Sequence, residues 1–323
     1  MTHRISRRTL LAGTAATALG TIVSSTLAQP ASWNWTMPIG YPGEVLGDGF
    51  FMRHGFATEN TWFNPGAWHT AEDYYVLDGD AGGAGVYAVA DGEAVFAGFD
   101  YPGPVIIVRH AEDLYSMYGH LDYDLAVESG PVARGQLLGT VLGRDDGRAP
   151  SHLHFEIRRF LITSEVNGPA PRYGFACGPD CAPGPGYWPI DAPEHPAAMG
   201  WLNPTHVMAT RAFTNGVPEG VEVVVAQGAG ERTELRSTPE GEPVGEMPLL
   251  PGTRYKLRDI MAGPMDSTET SAEGYQLWYQ IAVPDQANPV WIQAAVPSTH
   301  DTGSDGRPSS VRLDLLPLVI SEE

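Results

Sequence analysis

Lysine is almost missing from this chain. Lys256 is the only one among 19 basic residues, which face 39 acidic ones for a formal charge of −20. With positive charge so scarce, nucleic acid and anionic membranes make poor partners. Cysteine is equally scarce, and two in 323 residues fit neither a disulfide scaffold nor a four-thiolate zinc ribbon. Cys177 and Cys181 sit in a Gly/Pro-rich stretch without C-x-x-C spacing, so they read as an intraloop disulfide formed after export. Long apolar runs are lacking as well. The stretch 9–28 is interrupted by Gly, Thr and Ser, which makes it too weakly hydrophobic for a permanent span, and no other stretch approaches the necessary length. What the first residues do carry is a twin-arginine opening, Ser6-Arg7-Arg8-Thr9-Leu10-Leu11, and small residues at Thr26-Leu27-Ala28. Residues 1–28 therefore read as a signal peptide for export of an already folded chain to the cell envelope or beyond. No cysteine stands near the expected cut after Ala28, so no lipid-modified terminus and no stable membrane anchor is expected.

Histidine is where the sequence becomes specific. Three short segments carry four imidazoles and a carboxylate: His69-Thr70-Ala71-Glu72-Asp73, Tyr118-Gly119-His120-Leu121, and Ser151-His152-Leu153-His154-Phe155-Glu156-Ile157. Neutral imidazole and carboxylate are ligands that zinc accepts in a tetrahedral site, and a catalytic site leaves one position open for water. His152 and His154 are two apart in an apolar, β-leaning run, so on a strand both project from one face. His69 and Asp73, four apart, could share a helix face, but Asn64-Pro65-Gly66 just before them argues for a loop or strand start. His54, His110, His195 and His206 stand outside these segments and read as structural. Glu156 would face the same way as His154, where it reads as a partner for Arg158 or a hydrogen-bond support rather than a general base. Asp91-Gly92 reads as a hairpin turn.

At these residues the chain resembles the LytM/lysostaphin-type zinc endopeptidases, which cut peptide bonds in bacterial peptidoglycan. The family pattern is H-x-G-x-D, an aromatic-x-H-L segment and H-L-H-F-E, matched here by His69 and Asp73, by Tyr118 to Leu121, and by His152 to Glu156. Val89-Ala90-Asp91-Gly92-Glu93, Val105 to His110, Val132 to Gly139 and Leu202-Asn203-Pro204 look like its connecting segments. One departure is Ala71, which stands where the family has glycine. The resemblance covers about residues 40–160. It implies one zinc per chain held by His69, Asp73 and His154, with His120 and His152 off the metal as the catalytic, proton-transferring or oxyanion-binding groups. Which of the two does which is not given by the sequence. Carboxypeptidases with a His/Asp/His zinc set use a wider ligand spacing than the His69–Asp73 gap.

Between about 38 and 208, short alternating or apolar segments (86–99, 105–110, 114–121, 137–141, 153–157) separated by Gly, Pro and Asp predict an antiparallel all-β domain. The resemblance implies a β-sandwich-like groove with the metal on its floor. The metallopeptidase domain is placed at 29–210, with a Gly/Pro-rich insertion at 161–200 carrying Tyr173, Phe175, Tyr187 and Trp188; this either walls the groove or is a packed surface excursion. The segment with Trp33, Trp35 and Trp62 is read as the first strands of the sandwich, in preference to a plug over the groove. From 218 to 297, short candidate strands with Leu235-Arg236-Ser237-Thr238-Pro239, Pro251-Gly252-Thr253 and Val290-Trp291-Ile292 resemble a small SH3-like β-barrel, which implies binding of cell-wall material. Residues 298–323 are expected to be a flexible polar linker and a last apolar segment.

Three functional readings follow. The first is an exported zinc endopeptidase acting on cross-link or stem peptides of peptidoglycan. The second is a catalytically silent wall-binding or hydrolase-activating protein of the same fold. The third is a secreted metalloprotease with protein substrates. The negative charge disfavours attack on walls dense in anionic polymer and fits remodelling by the producing cell better.

Overall fold

The computed structural model describes residues 33–99, 103–145, 147, 149–167, 180–284 and 286–318. The twin-arginine segment, Tyr173, Phe175 and Cys177 lie outside these residues. Cys181 is disulfide-bonded. No helix among the described residues is long and apolar enough to cross a membrane.

The chain is almost entirely antiparallel β. A ten-stranded sheet runs in the order Ala295–Thr302, Pro308–Leu313, Phe50–His54, Glu72–Val76, Leu153–Arg158, Leu114–Gly119, Val105–Ala111, Gly92–Gly98 and Gly130–Val132, with Trp201–Leu202 beside Leu153–Arg158. Alternation decides its two faces. Ile106, Val108, Tyr118, Leu153, Phe155 and Ile157 enter the main core. Val105, Ile107 and Met117 form a smaller apolar cluster with Ala182 of the insertion. His154, Glu156 and Arg158 alternate with the core residues of their strand and so share the second face. Periodicity thus creates a buried polar patch in the middle of an apolar sheet.

A three-stranded sheet, Ile39–Gly40, Gly85–Tyr87 and Leu137–Thr140, closes the main core from the other side through Ile39, Val86 and Leu138. Trp33, Trp35 and Met37 are buried in that core but precede the first strand, and Trp62 is exposed in a turn, so the first-strand reading holds only for Ile39–Gly40 and Phe50–His54. The Asp91-Gly92 turn differs from the expected hairpin. Gly85–Tyr87 and Gly92–Gly98 belong to different sheets, so the turn is a corner between layers. Asp91 secures it by accepting from the Arg134 amide at 2.7 Å. A Cβ on Gly92 would lie 2.5 Å from the Arg109 carbonyl, so the corner needs a residue without one.

The C-terminal part also departs from expectation. Its strands are where the sequence places them, Glu222–Val225, Arg232–Arg236, Arg254–Ala262, Leu277–Ala282 and Val290–Gln293, in a seven-stranded sheet completed by Pro243–Pro248 and Leu315–Pro317. That sheet is open, with two edges, and no closed barrel is formed among the described residues. The segment expected as a flexible linker is a hairpin, Ala295–Thr302 with Pro308–Leu313. Its second strand pairs with Phe50–His54 of the first sheet through Val311 and Met52. The polar composition that looked like a linker is used in hydrogen bonds: Asp301 accepts from Arg53, and the Ser310 hydroxyl donates to the Arg53 carbonyl.

Candidate metal centre

Strand register assembles the site. Leu153–Arg158 lies between Glu72–Val76 and Leu114–Gly119, and His154 is paired with Asp73 on one side and Gly119 on the other. Directly opposed residues point to the same face of a sheet, so Asp73 meets His154 and His120 begins the loop just beyond. His69 ends the short strand Ala67–His69 and is joined to Glu72–Val76 by a two-residue bend. The loop or strand start expected here is therefore present, and the helix is not. Ala71 is fully buried in that bend and is absent from the positive-φ residues, so replacing the family glycine costs the backbone nothing.

Three donor atoms converge. His69 Nε2 is 3.3 Å from His154 Nδ1 and 3.2 Å from Asp73 Oδ1, and His154 Nδ1 is 3.1 Å from the same oxygen. A tetrahedral zinc with bonds of about 2.05 Å needs neighbouring donors about 3.3 Å apart. The triangle has that size, and all three residues are buried and able to hold a metal ion. The ring nitrogens turned away from the triangle are held. His69 Nδ1 faces the Gly55 carbonyl at 3.4 Å, and His154 Nε2 faces Glu156 Oε1 at 3.2 Å. Both outer partners only accept, so they place the protons on the outer nitrogens and leave the inner lone pairs free. The donor set and its tautomers fit zinc.

Charge points the same way. Burial on its own would push Asp73 up, but His69, His152 and His154 outweigh it and hold the carboxyl well below its ordinary range. Burial would likewise push His154 down, but Asp73 and Glu156 together raise it to about 9. The pocket is therefore built around a positive charge, a proton or a metal. Glu156 is itself supported by Thr70 Oγ1 at 2.9 Å, Arg158 Nη1 at 3.0 Å and Trp201 Nε1 at 3.0 Å. Arg158 is completely buried, and it also donates to the carbonyls of Leu161, Ala182 and Pro183.

His120 and His152 stand beside the triangle, with ring centroids 4.6 Å apart. Burial first, then the neighbouring positive groups, holds His120 well below 6.5, and burial lowers His152 to about 4. Both are neutral at pH 7. His120 has φ of 62°, a left-handed conformation uncommon outside glycine and a local strain of the kind concentrated at functional sites.

All five residues singled out from the sequence are thus brought together. Sequence reasoning missed Arg144, whose Nη2 lies 2.9 Å from His120 Nδ1, because it stands in a loop with no periodic signal. It also missed Thr70, and Tyr75, whose ring stacks on His152 at 4.5 Å. His54, read as structural, is buried beside His69 with ring centroids 6.3 Å apart, and neither of its nitrogens is hydrogen-bonded. His195 caps the turn Pro196–Met199, and His206 and His110 lie elsewhere. Glu72 is buried on the opposite face from Asp73 and accepts from the Thr205 amide at 2.9 Å and hydroxyl at 2.6 Å, so it anchors a helix and takes no part in the site. Part of the insertion does reach the site. Tyr187–Pro189 pairs with Ala67–His69, which places Tyr187 against His69 at 5.2 Å.

The chain is 38% identical over 78 residues to the murein hydrolase activator NlpD of Escherichia coli K12, a match of 24% of this chain and 20% of that protein. It is 37% identical over 78 residues to lipoprotein NlpD of Yersinia enterocolitica, covering 24% of this chain and 78% of that one. The chain thus spans about a fifth of the E. coli relative and most of the Yersinia one. Among solved structures, the antimicrobial peptidase lysostaphin from Staphylococcus simulans aligns with 84% of this chain and 96% of its own at 14% identity, with a TM-score of 0.30. The model of peptidase family M23 matches residues 72–168, the stretch that contributes Asp73, His120, His152 and His154. By the family model and the Yersinia relative, the chain belongs to peptidase family M23.

Proposed function

We propose that this protein is an exported zinc metalloendopeptidase that hydrolyses peptide bonds in bacterial peptidoglycan. The observation that carries the reading is the triangle of His69 Nε2, Asp73 Oδ1 and His154 Nδ1, with sides of 3.1 to 3.3 Å and two neutral histidines beside it. Zinc held there would polarise a scissile carbonyl and lower the pKa of a water to about 7.

The two flanking histidines differ in what they offer. His152 Nδ1 lies 2.9 Å from the Pro150 carbonyl, an acceptor only, so Nδ1 carries the proton and Nε2 presents a lone pair. The same Arg144 guanidinium nitrogen lies 2.9 Å from His120 Nδ1 and 3.4 Å from Nε2, against the face of the ring, so this contact leaves the His120 tautomer open. His152 is therefore suited to take the proton of an attacking water as general base. His120, the other imidazole beside the triangle, is left to donate to the carbonyl oxygen as charge gathers there, or to the leaving amine. Arg144 adds positive charge behind that donor.

Peptidoglycan as substrate rests on the family resemblance and on the name of the E. coli relative, a murein hydrolase activator. That same name favours the second reading, an activator without turnover. Export rests on the twin-arginine segment, and wall binding by the C-terminal sheet rests on its SH3-like strand motifs. The test is zinc content with amine release from purified peptidoglycan, comparing the mature chain with His154→Ala. Stoichiometric zinc and release by the parent alone are expected; wall binding that survives His154→Ala with no release by either protein would favour the activator, and cleavage of casein without wall lysis a different protease.

A further inference from the structure

The groups around His152 form a continuous series that ends far away in sequence. Its imidazole is stacked on the Tyr75 ring, with centroids 4.5 Å apart and planes 13° from parallel. The Arg53 guanidinium lies over the same phenol, 5.3 Å from its centroid, and also over Trp62 at 5.4 Å. Arg53 Nε donates to Asp301 Oδ2 at 2.7 Å. Asp301 is 4% exposed and belongs to the C-terminal hairpin, where its amide donates to Ser310 Oγ at 3.0 Å. Ser310 Oγ in turn donates to the Arg53 carbonyl at 3.0 Å. Both ends of Arg53, backbone and side chain, are therefore tied to the hairpin.

The geometry points to Asp301 as a positioning residue for the peptidase centre. Acting through Arg53 and Tyr75, it fixes the plane of His152, so the C-terminal hairpin is part of the catalytic apparatus. The inference rests on the peptidase reading for its effect on turnover, while the stack itself can be tested without turnover.

Three physical steps connect the ends. A stacked neighbour restricts rotation of an imidazole about its second side-chain torsion, which is broad when unrestrained. A guanidinium over the phenol holds that neighbour by cation–π attraction. The guanidinium is flexible unless its charge-assisted bond to a buried carboxylate fixes it. His152 is also met by the Pro150 carbonyl, which sets its tautomer, by the edge-on His120 ring at 4.6 Å and by Asp73 Oδ2, 3.8 Å from its Nε2. Among these neighbours, Tyr75 alone lies face to face with the imidazole, 13° from parallel, and so opposes its tilt most directly.

The experiment compares the full mature chain with Asp301→Ala, Asp301→Glu and Tyr75→Leu. Turnover on a soluble peptidoglycan peptide is measured together with zinc content, melting temperature and the His152 ring-proton NMR resonance. Asp301→Ala is expected to lower kcat roughly 10- to 100-fold with KM and zinc content unchanged, the range for outer partners that orient reacting groups. It is also expected to move the His152 resonance toward its position in Tyr75→Leu, where the ring current of the phenol is gone. Asp301→Glu should restore most of both. Parent-like kcat and an unmoved resonance in Asp301→Ala would overturn the inference, and so would a loss of activity that only tracks lost zinc or lost fold. If the parent itself shows no turnover, the peptidase reading fails, and the His152 resonance alone then decides whether Asp301 orients the ring.

Discussion

Glu156 is the residue on which the metal centre leans most heavily from outside. It holds His154 in the tautomer that turns Nδ1 inward, and it is the carboxylate partner of the buried Arg158. Glu156→Gln keeps the shape and removes the charge. Zinc affinity should fall roughly 10- to 100-fold, and stability should fall by up to about 3 kcal/mol because Arg158 is left without its counter-charge. Chelator competition and a denaturant melt measure the two effects; unchanged affinity would mean that His154 is oriented without Glu156. Arg144 supplies the complementary case on the catalytic side. It is half-buried in a loop, so Arg144→Met should leave fold and zinc intact. It should lower kcat about 10- to 100-fold by removing the positive charge that lies against the His120 ring. A variant with parent kcat would mean that this charge does not act on His120 during turnover.

Among the elements, the helix Pro204–Arg211 couples the two sheets, and a histidine makes that coupling depend on pH. His206 lies 2.7 Å by Nδ1 from the Pro264 carbonyl and accepts by Nε2 from the Gln276 amide at 3.1 Å. The neutral ring satisfies both partners, and protonation would break the second. Burial, the largest cause, lowers its pKa below 6.5 despite the Pro264 bond. The folded state therefore binds this proton less readily than the unfolded chain. The stability it contributes is present above about pH 6.5 and is lost as pH falls from there toward the folded value, at no more than about 1.4 kcal/mol per pH unit for one proton. Denaturant melts between pH 7.5 and 5 should show this slope in the parent, and His206→Gln should flatten it by that share. An equal slope in both would assign the acid sensitivity to other histidines.

The elements also show what the sequence could and could not convey. Strands that alternate strictly in polarity, such as Leu153–Arg158, were legible because the apolar core takes one face and a buried polar patch the other, which imposes a period of two. The residues that converge at the candidate metal centre were legible because most of them stand on, or next to, strands in that register. The hairpin of Ala295–Thr302 and Pro308–Leu313 was not. Its polar residues serve long-range partners such as Arg53, which composition cannot reveal. Arg144 and Tyr75 escaped for the same reason: their roles arise from neighbours that are distant in sequence. The open edges of the C-terminal sheet were hidden too, since short strands separated by turns read alike in a barrel and in a sheet.

For the molecule as a whole, the decisive fact is that the chain from Ala31 to Glu323 is one compact unit. The sequence invites a reading as a catalytic domain, a binding module and a tail. The strands cross those boundaries: Pro308–Leu313 pairs with Phe50–His54, and Leu315–Pro317, two residues later, pairs with Glu222–Val225 in the other sheet. One strand pair therefore stitches each sheet to the last segment of the chain. The cores merge as well, since Trp33 and Phe213 pack at 5.1 Å and Trp33 and Tyr279 at 6.0 Å. Two independently stable domains would melt separately, but units sharing strands and a core should melt together. Calorimetry of the mature chain should then show one transition, with calorimetric and van't Hoff enthalpies agreeing. Asp301→Ala, which loosens the hairpin at one point only, should shift that transition without splitting it. Two resolved transitions in the parent would mean that the shared hairpin adds contact without cooperativity, and that the C-terminal sheet behaves as a separable module after all.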